Sequence, residues 1–308
     1  MSTLYFRFAA AGAVAGSSAL LERLLARADA PGTEAEAKAK AEAKAKATAD
    51  WRADALRSQA WTLESAAAPI ALYAARGHSR AAWTCFATAV HYSAEMSNVR
   101  LARDGILRLD ADAAASLAAD FNRVWLDSGI GMAVGEFGDL FCTFDEPLNV
   151  VTRDPEAVLD RHIEAYLPQG ADASRLRQLM SEMEMWLFEH PALQKSAHAP
   201  AVNGLWLWGG GAVLSSAPPA GLTCAGDDAL FGYFRGDVSR GGVAIAPAPG
   251  SPAWPAAESQ WLAPAVSGLK SGQLTRIVLS AAERCFTLRR SHLRRFWRRA
   301  RPLHEYLS

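Results

Sequence analysis

The chain has 308 residues, half of them hydrophobic, and its Lys+Arg and Asp+Glu totals are equal at 32 each. That balance excludes wholesale disorder and a uniformly basic nucleic-acid binder, and no apolar run reaches the roughly eighteen residues that a membrane span requires. The length admits one large domain or two packed ones, and a single α/β domain over 1–308 is expected.

Phe6 to Leu21 is small and apolar with one cation, Arg7, a pattern that a weak signal peptide shares. It continues into Leu20-Leu21-Glu22-Arg23-Leu24-Leu25-Ala26-Arg27, with leucine on one side, so an N-terminal strand leading into a core helix explains it better. From Thr33 to Asp50 alanine alternates with Glu and Lys, without a large apolar residue. Glu34 with Lys38, Glu36 with Lys40 and Glu42 with Lys46 are favourable i,i+4 pairs, so 33–50 is predicted to be a solvated helical insertion.

Beyond Trp51, strand-like and helical pieces alternate. Ala81 to Tyr92 and Val99 to Leu109 read as strands, and Asp110 opens an alanine-rich helix through Asn122. A second amphipathic helix follows Gly170, with Asp172 or Ser174 as N-cap and Leu176, Leu179, Met180, Met183 and Leu187 on its core face. His190-Pro191 stops it. The stretch 212–272 is rich in Gly, Pro, Ala and Ser and is predicted to be largely irregular, with short apolar interruptions at Ala229 to Phe234 and Gly242 to Ile245. Leu274 to Leu279 and Cys285 to Arg289 read as strands. Ser291 then caps a last helix to Ala300 that buries Leu293, Phe296 and Trp297. Cys85, Cys142, Cys224 and Cys285 are too widely spaced for a CxxC metal or redox site and are expected to be reduced thiols.

The most distinctive string is Asn203-Gly204-Leu205-Trp206-Leu207-Trp208-Gly209-Gly210-Gly211, preceded by His190-Pro191. A heavily apolar strand running into three glycines predicts a tight turn, or a place where backbone N–H groups can approach an anion. Neither GxxxxGK[ST] nor GxGxxG is present. Of the seven histidines, His190 and His198 stand eight apart, and none forms an HExxH motif; no serine lies in GxSxG.

Asn-x-x-Trp-Leu-Trp-Gly-x-Gly after a His-Pro resembles a segment of the archaeal-type, cofactor-independent phosphoglycerate mutases. It is similar also to a bacterial family described as phosphoglycerate-mutase-like or as regulatory proteins of the RpfE type. Leu167-Pro168-Gln169-Gly170, Glu182-Met183-Glu184-Met185 and the basic Phe296 to Arg299 carry that second likeness, which runs best from Leu101 to Gly211. The resemblance implies a mutase-like fold. In those mutases phosphoryl transfer uses two metal ions held by Asp and His near both chain ends, with a Ser or Thr nucleophile. Here the first Asp is Asp29 and the last Asp237, and beyond it only Glu258, Glu283 and Glu305 are carboxylates. The implied metal centre lacks its ligands, and Ala192-Leu193-Gln194-Lys195 replaces the family's Val-Asn and Arg after His-Pro.

Charge is also unevenly spread. From Lys270 onward ten Lys/Arg face two Glu, a balance of +8, leaving −8 on the preceding residues. Arg289, Arg290, Arg294, Arg295, Arg298, Arg299 and Arg301 flank the expected last helix and suit phosphate, acidic lipid or an acidic protein.

The sequence thus predicts an α/β protein with a central mixed sheet flanked by helices, long irregular loops and a basic C-terminal helix. It is expected to be cytoplasmic and to carry no metal and no cofactor. The favoured function is a non-catalytic binding or regulatory protein derived from a phosphomutase-like domain, whose partner is an unidentified protein or a small phosphorylated ligand rather than nucleic acid. Candidate ligand-binding residues are His190, Asn203, Trp206, Trp208, Gly209, Gly210 and Gly211. One alternative is a phosphoglycerate-mutase-like enzyme that acts on a small phosphorylated metabolite through His190, Asn203 and the glycine turn. The other is a binder of an anionic surface or acidic partner through Arg294, Arg295, Arg298 and Arg299.

Overall fold

The computed structural model describes residues 2–9, 18–29, 51–59, 67–96, 98–188, 190, 200–218, 220–281 and 284–307. The expected insertion at 33–50 and His198 lie outside them. In chain order the main elements are β1 (Thr3–Phe8), α1 (Ala19–Arg27), α2 (Trp51–Ser58), α3 (Ala67–Arg76), β2 (Trp83–Ala94), β3 (Val99–Ile106), α4 (Ala111–Val124), β4 (Ile130–Val134), β5 (Leu140–Phe144) and β6 (Arg161–His162). There follow α5 (Ala173–Phe188), β7 (Gly204–Ala212), β8 (Cys224–Ala225), β9 (Gly242–Ala246), α6 (Trp254–Ala257), α7 (Ala263–Ser271), β10 (Arg276–Ala281), β11 (Arg284–Arg289) and α8 (Leu303–Leu307). The class is α/β, with the strands shared between two sheets. The chain divides into two compact units, Met1–Thr62 with Pro219–Ser308, and Leu63–Pro218.

The first unit is built on a mixed sheet of order β11-β10-β1-β9-β8. β1 lies between β10 and β9 and is parallel to both, while β11 adds antiparallel to β10. A strand flanked on both edges and covered on both faces must be apolar nearly throughout, and in β1 only Arg7 escapes full burial. α1 starts where the Ser18 hydroxyl accepts from the Leu21 N–H at 3.1 Å, and it buries Leu21, Leu24 and Leu25. α2 is fastened by a buried ion pair: Arg52 donates through Nε and Nη2 to Asp228, the shortest distance being 2.6 Å. Asp228 also accepts from the Leu230 and Phe231 amides, so one carboxylate fixes both the helix and the 3-10 turn Phe231–Phe234.

Two expectations fail in this unit. The stretch 212–272 is not irregular to its end: β9 falls on the expected interruption Gly242 to Ile245, but a nearly continuous helical run then extends from Trp254 to Ser271. Pro255 sits in the first turn of α6, where its missing N–H costs nothing. A π-helical turn, Glu258–Leu262, then precedes Pro264 in the first turn of α7. Leu262, Ala265, Val266 and Leu269 bury its inner side. The second failure is the helix expected over 291–300: only a 3-10 turn, Arg290–Arg294, forms, and Phe296 and Trp297 are 80% and 65% exposed instead of buried.

The second unit is an antiparallel sheet around the twelve-residue β2. β7 runs along one edge of β2; the other edge is shared by β5 beside its first half and β3 beside its second. β4 extends the sheet beyond β5, and β6 beyond β3. α3 packs on β7 and β2, α4 on β4, and α5 on β7. Asp110 caps α4 as expected, accepting from the Ala113 N–H at 2.7 Å. The four cysteines are free, and three of them are buried.

Candidate functional site

The glycines of β7 do not form an open turn. They continue the strand, with Trp83 opposite Ala212 and Thr84 opposite Gly211. Between that register and the pairing of Phe86 with Trp208, Gly209 and Gly210 together face Cys85, which is a β-bulge. Gly209 has φ +64°, a value glycine adopts without strain. A Cβ on Gly210 would overlap the far edge of the Trp83 ring, while one on Gly209 would only touch Phe86 and the first turn of α3 at ordinary contact distance. The side-chain space at Gly210 is therefore filled by its own unit.

Its tryptophans are likewise committed. Trp206 is buried and its indole N–H donates to the Arg153 carbonyl at 2.7 Å. Trp208 donates to the Thr88 hydroxyl at 2.7 Å and stacks on Phe86 with centroids 4.8 Å apart. Asn203 clamps the main chain of β2: its Oδ1 accepts from the Tyr92 N–H at 2.6 Å and its Nδ2 donates to the Tyr92 carbonyl at 2.8 Å. His190 is 5% exposed, with Nε2 2.9 Å from Asp120 Oδ2 and its ring edge-on to Trp186. Its Nδ1 is buried without a hydrogen-bond partner among the described residues. Residues that lie close in sequence are thus separate in role, and each fastens a different neighbour.

The arginine segment of the first unit differs. After the 3-10 turn it folds back on the end of α1, whose last carbonyls lack partners within the helix and attract cations. Arg295 donates to the Arg27 carbonyl at 3.2 Å and pairs with Asp29; Arg298 donates to the Ala28 carbonyl at 3.2 Å. Arg27 returns a bond to the Leu293 carbonyl at 3.2 Å. His292, buried, places Nε2 3.2 Å from Asp29 Oδ2. Its burial holds the imidazole pKa below the usual value, against the pull of Asp29. The Arg295 hydrogen bond, aided by the nearby positive charges, holds the Asp29 carboxyl below the ordinary carboxylate range.

This fastening leaves a cavity of about 430 Å³ lined by Leu25, Ala26, Ala28, Phe286, Arg298, Arg299, Arg301 and Tyr306. Its lining combines apolar residues, Leu25, Ala26, Ala28 and Phe286, with three arginines. Tyr306 stands edge-on to Phe286, and its hydroxyl accepts from the Arg301 N–H at 3.0 Å, so the cavity wall is held in shape. Arg298 and Arg299 make no carboxylate contact among the described residues. Of the four arginines expected to bind, Arg298 and Arg299 line the cavity, Arg295 is spent on Asp29, and Arg294 points outward. Tyr306, Phe286, Leu25 and the anchor Asp29 escaped the sequence reading, since nothing local ties them to Arg298. Among the described residues, no three His, Cys, Asp or Glu side chains converge as a metal-ligand group.

No protein-family model matches the chain, and no curated protein matches it. Among solved structures it is similar to a cofactor-independent phosphoglycerate mutase from Thermoplasma acidophilum DSM 1728. The TM-score is 0.36 and the identity 10%, over 94% of this chain and 90% of that one. A likeness at that level fixes neither fold family nor activity.

Proposed function

We propose that the protein is a non-catalytic binding protein which takes a ligand with an anionic head and an apolar body into the arginine-lined cavity of the first unit. The observation that carries this reading is the cavity: about 430 Å³, lined by apolar residues of α1 and β11 together with Arg298, Arg299 and Arg301. Its volume lies within the usual range for small-molecule sites, which pair an apolar lining with a few convergent polar groups. Guanidinium groups suit phosphate and carboxylate oxygens, which they bind in a fork. The rival reading, an enzyme working through His190, Asn203 and the glycine run, has less behind it, because Asn203 is spent on Tyr92 and a Trp83 ring covers Gly210.

Calorimetric titration of the full chain with octyl phosphate and with inorganic phosphate tests the proposal. Octyl phosphate is expected to bind saturably and more tightly than phosphate. Arg299→Gln should weaken it about tenfold, the size of one lost charge-assisted hydrogen bond. Absence of saturable binding, or identical binding by Arg299→Gln, would refute the reading.

A further inference from the structure

Next to the cavity the chain turns at Phe296 and Trp297. Both side chains are exposed, 80% and 65%, and their rings meet edge-to-face with centroids 5.6 Å apart. A large aromatic left in water usually stands alone; two together at the tip of a turn form a small apolar wedge. The turn lies within Arg289 to Arg301, which holds seven arginines and neither Asp nor Glu. Arg295 is neutralised by Asp29, and Arg301 lies 3.8 Å from Glu305. Arg290, Arg294 and Arg299 are exposed, with no carboxylate contact among the described residues. Uncompensated cations therefore flank an exposed aromatic pair along the chain.

We infer that this turn docks the protein peripherally on an anionic lipid bilayer. This deepens the binding reading above and rests on it: the anionic, partly apolar ligand would be a lipid. Tryptophan favours the headgroup level of a membrane, and phenylalanine beside it can bury its ring at the headgroup and acyl boundary. Arginines beside such a wedge gain about 1 kcal/mol each from an anionic leaflet. The cavity lies on the same segment, through Arg298 and Arg299, and its Leu25 and Phe286 wall suits an acyl chain. A single-stranded nucleic acid would use the arginines and rings but has no use for that wall, so lipid accounts for more of the surface. No helix among the described residues is long and apolar enough to cross a membrane, so the attachment would be interfacial.

The test is flotation of the full chain with vesicles of phosphatidylcholine alone and with roughly one third phosphatidylglycerol, a charge density that attracts juxtamembrane cations. Co-flotation is expected only with the anionic vesicles and should fall as salt rises. Arg294→Gln combined with Arg299→Gln should reduce partitioning about thirtyfold, from the per-arginine gain above. Phe296→Ser combined with Trp297→Ser should abolish flotation while octyl phosphate binding in solution stays unchanged, because neither ring lines the cavity. Trp297→Phe should keep flotation and lose the part of the fluorescence quenched by brominated acyl chains.

Equal flotation on both vesicle types, or flotation that survives loss of both aromatics, overturns the inference. So does binding of polyglutamate or oligothymidylate without flotation. If octyl phosphate binds and vesicles do not, the membrane inference fails and the cavity reading stands; if octyl phosphate does not bind, the cavity reading itself fails.

Discussion

Gly210 and Trp83 are fitted to each other: the indole occupies the space a side chain at 210 would need. The ring has little freedom to retreat, since it is buried and lies 5.4 Å, edge-on, from Phe144. Gly210→Ala is therefore expected to force a shift in a packed sheet at a cost of about 1–3 kcal/mol, read as a lower urea midpoint with unchanged slope. In a Trp83→Leu background the added methyl should cost much less, and the coupling between the two changes is the diagnostic quantity. If Gly210→Ala were neutral in stability yet impaired binding of a small anion, the glycines would be a ligand cradle after all. The same logic applies to Asn203, whose two bonds to Tyr92 stitch the entry of β7 to β2. Both residues are better explained by sheet geometry than by a ligand.

The arginine segment behaves as an element without being a helix. It is pinned to the end of α1 by His292 and Arg295 on Asp29 and by Arg298 on the Ala28 carbonyl. His292 titrates below its ordinary value in the folded chain because of burial, so the unfolded chain takes up the proton first as pH falls. Stability gained from His292 is thus present above about pH 6.5 and is lost as pH drops from there towards the depressed folded value. Asp29, also depressed, loses its contribution only at still lower pH, as protonation reaches its own folded value. Protection factors of the amides in 292–298, corrected for the intrinsic exchange rate at each pH, are expected to fall as pH drops below about 6.5, and His292→Gln should flatten that dependence. Protection independent of pH would show that the imidazole contributes nothing to the clamp. In the sequence, Leu293, Phe296 and Trp297 have helical spacing, which is why a helix is expected over 291–300. No periodicity rule weighs seven arginines without an intervening acid, or the competing acceptors at the end of α1. Elsewhere periodicity serves well: α1, α4 and α5 lie where their apolar residues recur, and β2, β3, β10 and β11 where branched and aromatic residues alternate. The helical run 254–271 is obscured by Pro255 and Pro264, because the π turn between them cannot be read from composition. Of the candidate site, the cationic half is legible as a charge run; its apolar wall is not, since Arg298 and Ala28 are 270 residues apart.

At the scale of the molecule, the two units differ in how the chain closes them. All strand ladders of the second unit lie within one continuous stretch, Leu63–Pro218. The first unit is assembled from both chain ends, and its sheet is complete only when β1 enters between β9 and β10, with Thr3 opposite Arg276, 273 residues away. β1 supplies Leu4, Tyr5, Phe6 and Phe8, all with 1% exposure or less. At about 1.5–3 kcal/mol for each fully buried large side chain, the strand contributes on the order of 6–12 kcal/mol, comparable with the net stability of a whole domain. Deleting residues 1–8 is therefore expected to unfold the first unit and leave the second intact. Hydrogen exchange read peptide by peptide should show fast exchange throughout β9, β10 and α1, with protection retained in β2, β5 and β7. Octyl phosphate binding should vanish with it, because Leu25, Ala26 and Ala28 of the cavity wall come from the segment that β1 anchors. Protection lost equally in β2 and β7 would mean that the two units fold as one cooperative body, and protection kept in β10 would mean that its pairing with β11 suffices without the central strand.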